Sequence, residues 1–230
     1  MGISPALSAP RLIPGPLIHG LKTTASISSV PQLVQSPFLP SLLSTINQAF
    51  AASHSLRPEL FLQSHGPRLS SIEDFLSNLQ DPESFIIIVS RPGSDEVIAT
   101  SSARRYIGPP VKDSAAVEVK ESPWTRTIEV EPGAEEWELK LMATQPDVQG
   151  QGVAAWMMAL VEREIVARSQ AKWAAREGAA AVPRLKMVLC TLRELKGEFY
   201  LRRGYLKDYE TSRGDGFQFH ILHLSKTIET

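Results

Sequence analysis

Leu141-Met142-Ala143-Thr144-Gln145-Pro146-Asp147-Val148-Gln149-Gly150-Gln151-Gly152-Val153-Ala154 joins a strong strand to a strong helix through two glycines. Upstream, residues 137–144 alternate, with Trp137, Leu139, Leu141 and Ala143 on one face and Glu138, Lys140, Met142 and Thr144 on the other. Downstream, 153 to about 177 is rich in Ala, Met, Leu and Glu and reads as a long helix that residues 178–183 end. Glycine lets backbone pass close to a ligand and adopt positive φ. The N–H groups of a first helical turn lack internal partners, and the helix dipole places partial positive charge there. A diphosphate suits such a turn. The same glycines also serve simply to reverse the chain. The spacing is neither a three-glycine dinucleotide fingerprint nor a P-loop, since no Lys-Ser/Thr follows.

Working outward, residues 185–191 form an apolar strand, 193–203 a short helix stopped by Gly204, and 207–210 and 217–225 closing strands around the polar turn 212–216. Toward the N-terminus, 96–104 and the continuous apolar run 85–90 read as a hairpin across the turn 91–95. A short helix starts at Ser71 with Glu73 and Asp74 in its first turn. A longer one runs from Ser36-Pro37 through Leu42, Leu43, Ile46 and Phe50, with Pro40 in the first turn, where a missing N–H is tolerated. Residues 23–30 carry β-formers. Residues 106–135 hold Pro109-Pro110, several charges and no firm period, and read as a long insertion over one end of the sheet. The expected architecture is mixed α/β, a sheet covered by helices. It comprises an irregular, Pro- and Gly-rich leader over 1–20 and one domain over 21–230.

The 230 residues carry 24 Lys and Arg against 25 Asp and Glu, a formal net charge of −1, so no global field recruits nucleic acid or an anionic membrane. One cysteine, Cys190, forms no internal disulfide, and neither asparagine lies in an N-glycosylation sequon, which fits a cytoplasmic home. No apolar run reaches membrane-spanning length. The acid-free, serine-rich segment before Glu59 has transit-peptide composition, so mitochondrial import stands as a minor alternative; four prolines within residues 1–16 oppose the helix such a peptide needs.

Gln149-x-x-Gly152-x-Ala154 resembles the Q/R-x-x-G-x-G/A signature of GNAT acetyltransferases, and Ala143-Thr144-Gln145-Pro146 resembles the segment that leaves that family's central strand. Phe199-Tyr200-Leu201-Arg202-Arg203-Gly204-Tyr205 is similar to the family's F-Y-x-x-x-G-F element, in the family's order and at a similar separation. The resemblance covers about 137–210, and the element order extends it back to about residue 20. Arg193 stands where an asparagine is frequent, and Tyr205 replaces the last phenylalanine. The resemblance implies a mainly antiparallel mixed sheet flanked by helices, with a splayed central strand. It implies acetyl-CoA as co-substrate, its diphosphate on the amides of Gln149, Gly150, Gln151, Gly152, Val153 and Ala154. The backbone of Ala143 and Thr144 would hold the pantetheine arm and acyl carbonyl. Tyr200 would hydrogen-bond or protonate the departing thiolate, and the amine would enter beneath the insertion.

Each assignment has a plain alternative. Tyr200 could be packing only. A tyrosine of pKa ~10 donates readily to a thiolate whose acid is near ~8.5, although full transfer is uphill by roughly 2 kcal/mol. An alkylammonium of pKa ~10.4 is neutral to about one part in ~2,500 at pH 7, a cost of roughly 4.6 kcal/mol, so some group or water chain must take its proton. Glu138 lies where histone-type family members place a base; otherwise it is an exposed acid paired with Lys140. Glu135 and Glu136 are weaker candidates. Cys190 reads as a small core residue and Trp156 and Trp173 as packing. The five histidines show no metal-ligand spacing, and no metal is expected.

The leading expectation is acetyl transfer to a primary amine of a small molecule by direct attack in a ternary complex. A protein lysine or N-terminus is the second acceptor class, favoured if Glu131, Glu135 and Glu136 line an acidic groove. A non-catalytic acyl-CoA-binding module is the contrasting class; Tyr200 favours the enzyme. The acceptor's identity and the oligomeric state are not written in the sequence.

Overall fold

The fully apolar run Phe85–Ser90 forms strand β3, every residue of it buried, and the sheet is built around it. The computed structural model describes residues 9–61, 66–109, 122–175, 183–213 and 219–229. The chain forms β1 (Arg11–Pro14), β2 (Thr24–Ser29), α1 (Val30–Val34), α2 (Leu39–His54), α3 (Ile72–Ser77), β3 and β4 (Val97–Tyr106). It continues with β5 (Ala134–Thr144), α4 (Val153–Ala174), β6 (Arg184–Leu192), α5 (Glu198–Leu201), β7 (Leu206–Arg213) and β8 (Phe219–Ile228). The strand order is β1-β2-β3-β4-β5-β6-β8-β7. β1, β2, β3 and β4 pair antiparallel in sequence, β5 and β6 are parallel, and β8 is antiparallel to both β6 and β7. This is the expected mixed, mainly antiparallel sheet with helices. The parallel ladder covers 134–138 against 184–188, while the two strands run on to Thr144 and Leu192.

The chain divides into two compact units. The first comprises Met1–Ser55, Ser64–Arg104 and Leu139–Glu164; the second comprises Leu56–Gln63, Arg105–Glu138 and Ile165–Thr230. In the first unit, alternation sends Ile86 and Ile88 into one apolar cluster with Leu33, Leu42, Ile46 and Phe75 of the helices α1, α2 and α3. Val89 enters a second cluster with Ala25, Ile98, Ala99, Val148, Val153 and Met157. Helix α2 buries Leu39, Leu42, Thr45, Ile46 and Ala49, whereas Leu43 and Phe50 only border the core. Two of its hydroxyls serve the sheet: Thr45 Oγ1 donates to Val97 O (2.6 Å) and Ser41 Oγ accepts from Val97 N (2.8 Å). Ser71 caps α3 by accepting from Asp74 N at 3.1 Å, as its sequence position indicates.

Several sequence expectations are corrected. Arg11–Pro14, read as leader, is strand β1 paired with β2. It lies at the sheet edge, where Pro14 owes no ladder hydrogen bond. β5 begins three residues earlier than the alternation indicates, because the acids Glu135 and Glu136 lie inside it and are buried. The helix expected over 193–203 is a wide π turn, Arg193–Gly197, followed by the single turn of α5. Ser212 and Arg213 belong to β7, and 214–216 of the expected turn lie outside the described residues, as do 110–121 of the insertion and most of 178–183.

Candidate active site

The glycine turn belongs to the first unit, and its geometry follows from its two ends. Val148 and Val153 are each 1% exposed and pack in the same apolar cluster, while Gln149, Gly150, Gln151 and Gly152 between them are exposed. Hydrophobic burial therefore clamps the turn and leaves its backbone outward. Gly150 and Gly152 take φ of +80° and +78°, a region L side chains rarely adopt, and a Cβ at either would meet nothing within 4 Å. Both glycines are thus required by conformation, and the space beside them is open. Gln145 fixes the approach, with its N–H on Ile98 O (2.9 Å) and its Nε2 on Val97 O (3.0 Å). Gln149 closes the turn through Nε2 to Thr144 O (3.2 Å). Trp156 N to Gly152 O, 3.0 Å, is the first bond of α4. The amides of Val153, Ala154 and Ala155 therefore precede the helical ladder and point where the dipole is positive.

Ala143 and Thr144 end β5, the first buried in the α1–α3 cluster and the second half-buried. The strand reaches them through a feature the sequence did not announce: Leu141 has φ of +49°. A left-handed leucine costs about 1–2 kcal/mol. Leu141 and Ala143 share one cluster and Met142 the other, as alternation requires, whereas Trp137 and Leu139 belong to neither of these two clusters. Ser102 Oγ donates to Lys140 O (2.9 Å) next to Leu141. No glycine marks the position, so no local signal could have found it.

Tyr200 and Glu138 belong to the second unit. Tyr200 is 8% exposed on α5, edge-on to Phe199 (5.1 Å, 90°) and to Tyr205 (5.7 Å, 76°). Burial, reinforced by Cys190, pushes its hydroxyl well above the usual phenol range, so it stays a hydrogen-bond donor. Glu138 is 6% exposed in β5, opposite Val188 of β6. That excludes the reading of an exposed acid.

Residues 122–133, the described end of the insertion, run as a polar strap against strands of the second unit. Pro123 O accepts from Thr211 Oγ1 (2.9 Å) and lies 3.1 Å from His223 Nε2. Trp124 O accepts from the Cys190 thiol at 3.5 Å, so Cys190 is half-buried and engaged, not a core residue. Tyr209 OH takes Thr127 N (2.8 Å), and Tyr106 OH donates to Ile128 O (2.8 Å); burial raises Tyr106 to about 12. Arg126, 5% exposed in its side chain, binds Asp208 at 2.6 Å and lies 3.9 Å from Glu136. Glu136 is fully buried and neither of its oxygens has a hydrogen-bond donor among the described residues; burial raises its pKa against the pull of Arg126 and Lys186. The three acids that could have made an open acidic groove are all paired: Glu131 with Arg184 and Lys186, Glu135 with Arg105, and Glu136 with Arg126. Arg193 bonds Glu210 at 2.8 Å and contacts His220, which holds the π turn against β7 and β8. Trp156 packs on the α4-side cluster, as expected. Among the described residues no cluster of metal-ligating side chains occurs, and no helix is long and apolar enough to cross a membrane.

These features define a mixed α/β protein with an exposed glycine turn at the start of its longest described helix. No protein-family profile and no curated protein matches the sequence. Among solved structures, that of a protein assigned as a phosphinothricin N-acetyltransferase superposes with a TM-score of 0.51 at 10% identity, over 90% of this chain and 99% of that one. The ribosomal-protein-S18-alanine N-acetyltransferase of Escherichia coli gives 0.48 at 15% identity over 90% and 95% of the two chains. An aminoglycoside 6'-N-acetyltransferase complexed with coenzyme A gives 0.48 at 15% identity over 89% and 97%. The fold is that of the GNAT N-acetyltransferases, the acyl-CoA N-acyltransferase fold.

Proposed function

We propose that this chain is an acetyl-CoA-dependent N-acetyltransferase that moves an acetyl group to a primary amine of a small molecule by direct attack in a ternary complex. The observation that carries the reading is the exposed turn 149–152, clamped between buried Val148 and Val153, with two positive-φ glycines ahead of α4. Backbone donors fixed by apolar anchors need no reorganisation to receive a diphosphate. In this reading the backbone of Ala143 and Thr144 holds the pantetheine arm and the thioester carbonyl. The amine attacks the carbonyl carbon, the C–S bond breaks, and the thiolate leaves as coenzyme A.

Tyr200 donates a hydrogen bond to that thiolate. Its raised pKa makes full proton transfer still less favourable than for an ordinary phenol, so the hydrogen bond, not protonation, is its contribution. Glu138 takes the ammonium proton. Its burial restricts its access to bulk water, as a base of this kind needs. The pairing of Glu131, Glu135 and Glu136 with bases favours a small-molecule acceptor over a basic protein segment.

Release of free thiol from acetyl-CoA, measured across a panel of amines and peptides, tests the reading. Amine-dependent release is expected; binding of acetyl-CoA without release on any amine would leave a binding module in its place. Glu138→Gln is expected to lower the rate by about 100-fold or more at neutral pH, with partial recovery at high pH, where free amine is abundant. An unaltered pH–rate profile would move the base elsewhere.

A further inference from the structure

Within the first unit, the segment between β1 and β2 returns beside the glycine turn. Ile18 and Leu21 close the tip of a hairpin there, Ile18 N on Leu21 O at 3.0 Å and Leu21 N on Ile18 O at 2.9 Å. His19 and Gly20 between them take φ of +49° and +76°, the two positive angles of a type I′ turn. Lower down, Gly15 N bonds Thr23 O (2.9 Å), and Thr23 Oγ1 donates to Pro16 O (2.6 Å). Local chemistry therefore gives the hairpin a defined tip.

Three contacts run from this hairpin to the turn and its helix. Ile18, 3% exposed, packs in one cluster with Val148 and Val153, the two anchors of the turn, and with Met157 of α4; Ile13 of β1 borders the same cluster. His19 Nε2 donates to Asp147 O at 3.3 Å; a carbonyl only accepts, so this nitrogen carries the hydrogen. Arg11 pairs with Glu164, about three turns along α4. Asp147 is also held through its side chain, which accepts from Arg91 at 3.3 Å, and Arg91 in turn pairs with Glu96 at 3.2 Å. The residue before the first anchor is thus fixed at its carbonyl by the hairpin and at its carboxylate by the turn after β3. Residues 149–152 carry no apolar side chain of their own, so their order depends on such supports.

We propose that the hairpin tip, through Ile18 and His19, is a positioning element of the co-substrate site: it holds Asp147 and Val148 so that the backbone of 149–152 keeps the form that receives a diphosphate. The inference rests on the acetyl-CoA reading above, and two readouts separate them. The first is calorimetric titration of the full chain with acetyl-CoA. Ile18→Ala is expected to weaken binding about tenfold, and Ile18→Val to retain most of it. Leu79→Ala is the control. Leu79 is 1% exposed in the other cluster and follows Asn78, whose carbonyl accepts from Arg104 at the end of β4 away from Ile98. That variant is expected to lower the unfolding temperature as Ile18→Ala does, yet to keep its affinity within about twofold. His19→Asn preserves the type I′ turn, for which Asn-Gly is the favoured pair, and withdraws the ring from Asp147. A loss of about threefold with no lower unfolding temperature is expected, and it supplies the reading should Ile18→Ala fail to fold. The second readout needs no ligand. Nitrogen-15 order parameters of Gly150, Gln151 and Gly152 are expected to fall from ~0.85 toward ~0.6 in Ile18→Ala, and by less in His19→Asn. Equal losses of affinity in Ile18→Ala and Leu79→Ala overturn the proposal, as do unchanged affinity and order in folded Ile18→Ala and His19→Asn. If the unmodified chain binds no acetyl-CoA but order falls in the hairpin variants, the co-substrate reading fails and the brace stands. If acetyl-CoA binds all of them alike and order is unchanged, the brace fails and the co-substrate reading stands.

Discussion

The glycine turn of the first unit and the strap of the second are both irregular backbone, yet opposite forces hold them. The turn is fixed by apolar anchors at its ends, Val148 and Val153, and by two glycines whose φ no other residue accepts comfortably. The strap is fixed along its length by polar and charged groups, Arg126 to Asp208 and Tyr106, Tyr209 and Thr211 to its backbone. An apolar clamp leaves backbone donors exposed for a ligand. A polar mesh consumes its donors internally and instead covers what it touches, here His223 and Glu136. The first arrangement suits binding a charged co-substrate; the second suits shielding a proton-transfer site from water.

The sharpest way to break this contrast is at the turn. Gly152→Val introduces a β-branched side chain at φ +78° into the open space where a diphosphate would lie. Acetyl-CoA affinity should fall by more than about 100-fold, a loss of more than ~2.7 kcal/mol by calorimetry, with only about 1–2 kcal/mol of destabilisation. Unchanged affinity would dissociate the turn from the co-substrate. The matching break in the strap is Arg126→Ala, which strands Asp208 and Glu136. Removing one partner of a buried pair costs about 3–5 kcal/mol, so thermal unfolding should drop by roughly 10 °C. Acetyl-CoA affinity should remain, because the turn has its own anchors. If that affinity fell equally, the two regions would not be independently held.

Tyr200→Phe removes a hydroxyl and keeps the ring contacts with Phe199 and Tyr205. A loss of about 10–100-fold in kcat with little change in KM is expected, because the hydrogen bond grows as the C–S bond breaks. Intact kcat with a lower unfolding temperature would make Tyr200 a packing residue.

The smallest effect is the strap's pH dependence. Burial holds His223 below its ordinary 6.5, against the opposing hydrogen bond to Pro123 O, with Arg126, Asp208 and Glu138 also acting on it. The unfolded chain therefore binds this proton first as pH falls, and stability declines below about pH 6.5. Glu136, raised by burial above 4.5, has the opposite sign: it favours the fold below pH 4.5 and its contribution fades as pH rises through the folded pKa. His223→Gln should reduce the drop in unfolding temperature between pH 7 and 5.5 by roughly 3 °C. An unchanged drop would mean that His223 is not the group that titrates.

The same contrast explains what could be read from the sequence. Strand β3, helix α2, the α3 cap and the turn at 149–152 were legible because period, cap chemistry and glycine are local signals. β1 was missed because an edge strand of four residues between prolines carries no period. The left-handed backbone at Leu141 carries no glycine to announce it. The burial of Glu135 and Glu136 depends on Arg105, Arg126 and Lys186, from three other segments, and the ring contacts of Phe219 with Phe61 and Trp124 likewise join distant residues. Such partnerships appear only once the chain is folded.

The central claim is that the amides at the head of α4 receive the co-substrate's diphosphate. The most direct measurement is the amide proton–nitrogen NMR spectrum during titration with acetyl-CoA. The account predicts that the largest shifts fall on Gly150, Gln151, Gly152, Val153 and Ala154, and that the Gly152→Val protein loses them. Binding with these five amides unmoved, and the shifts elsewhere in the chain, would contradict it.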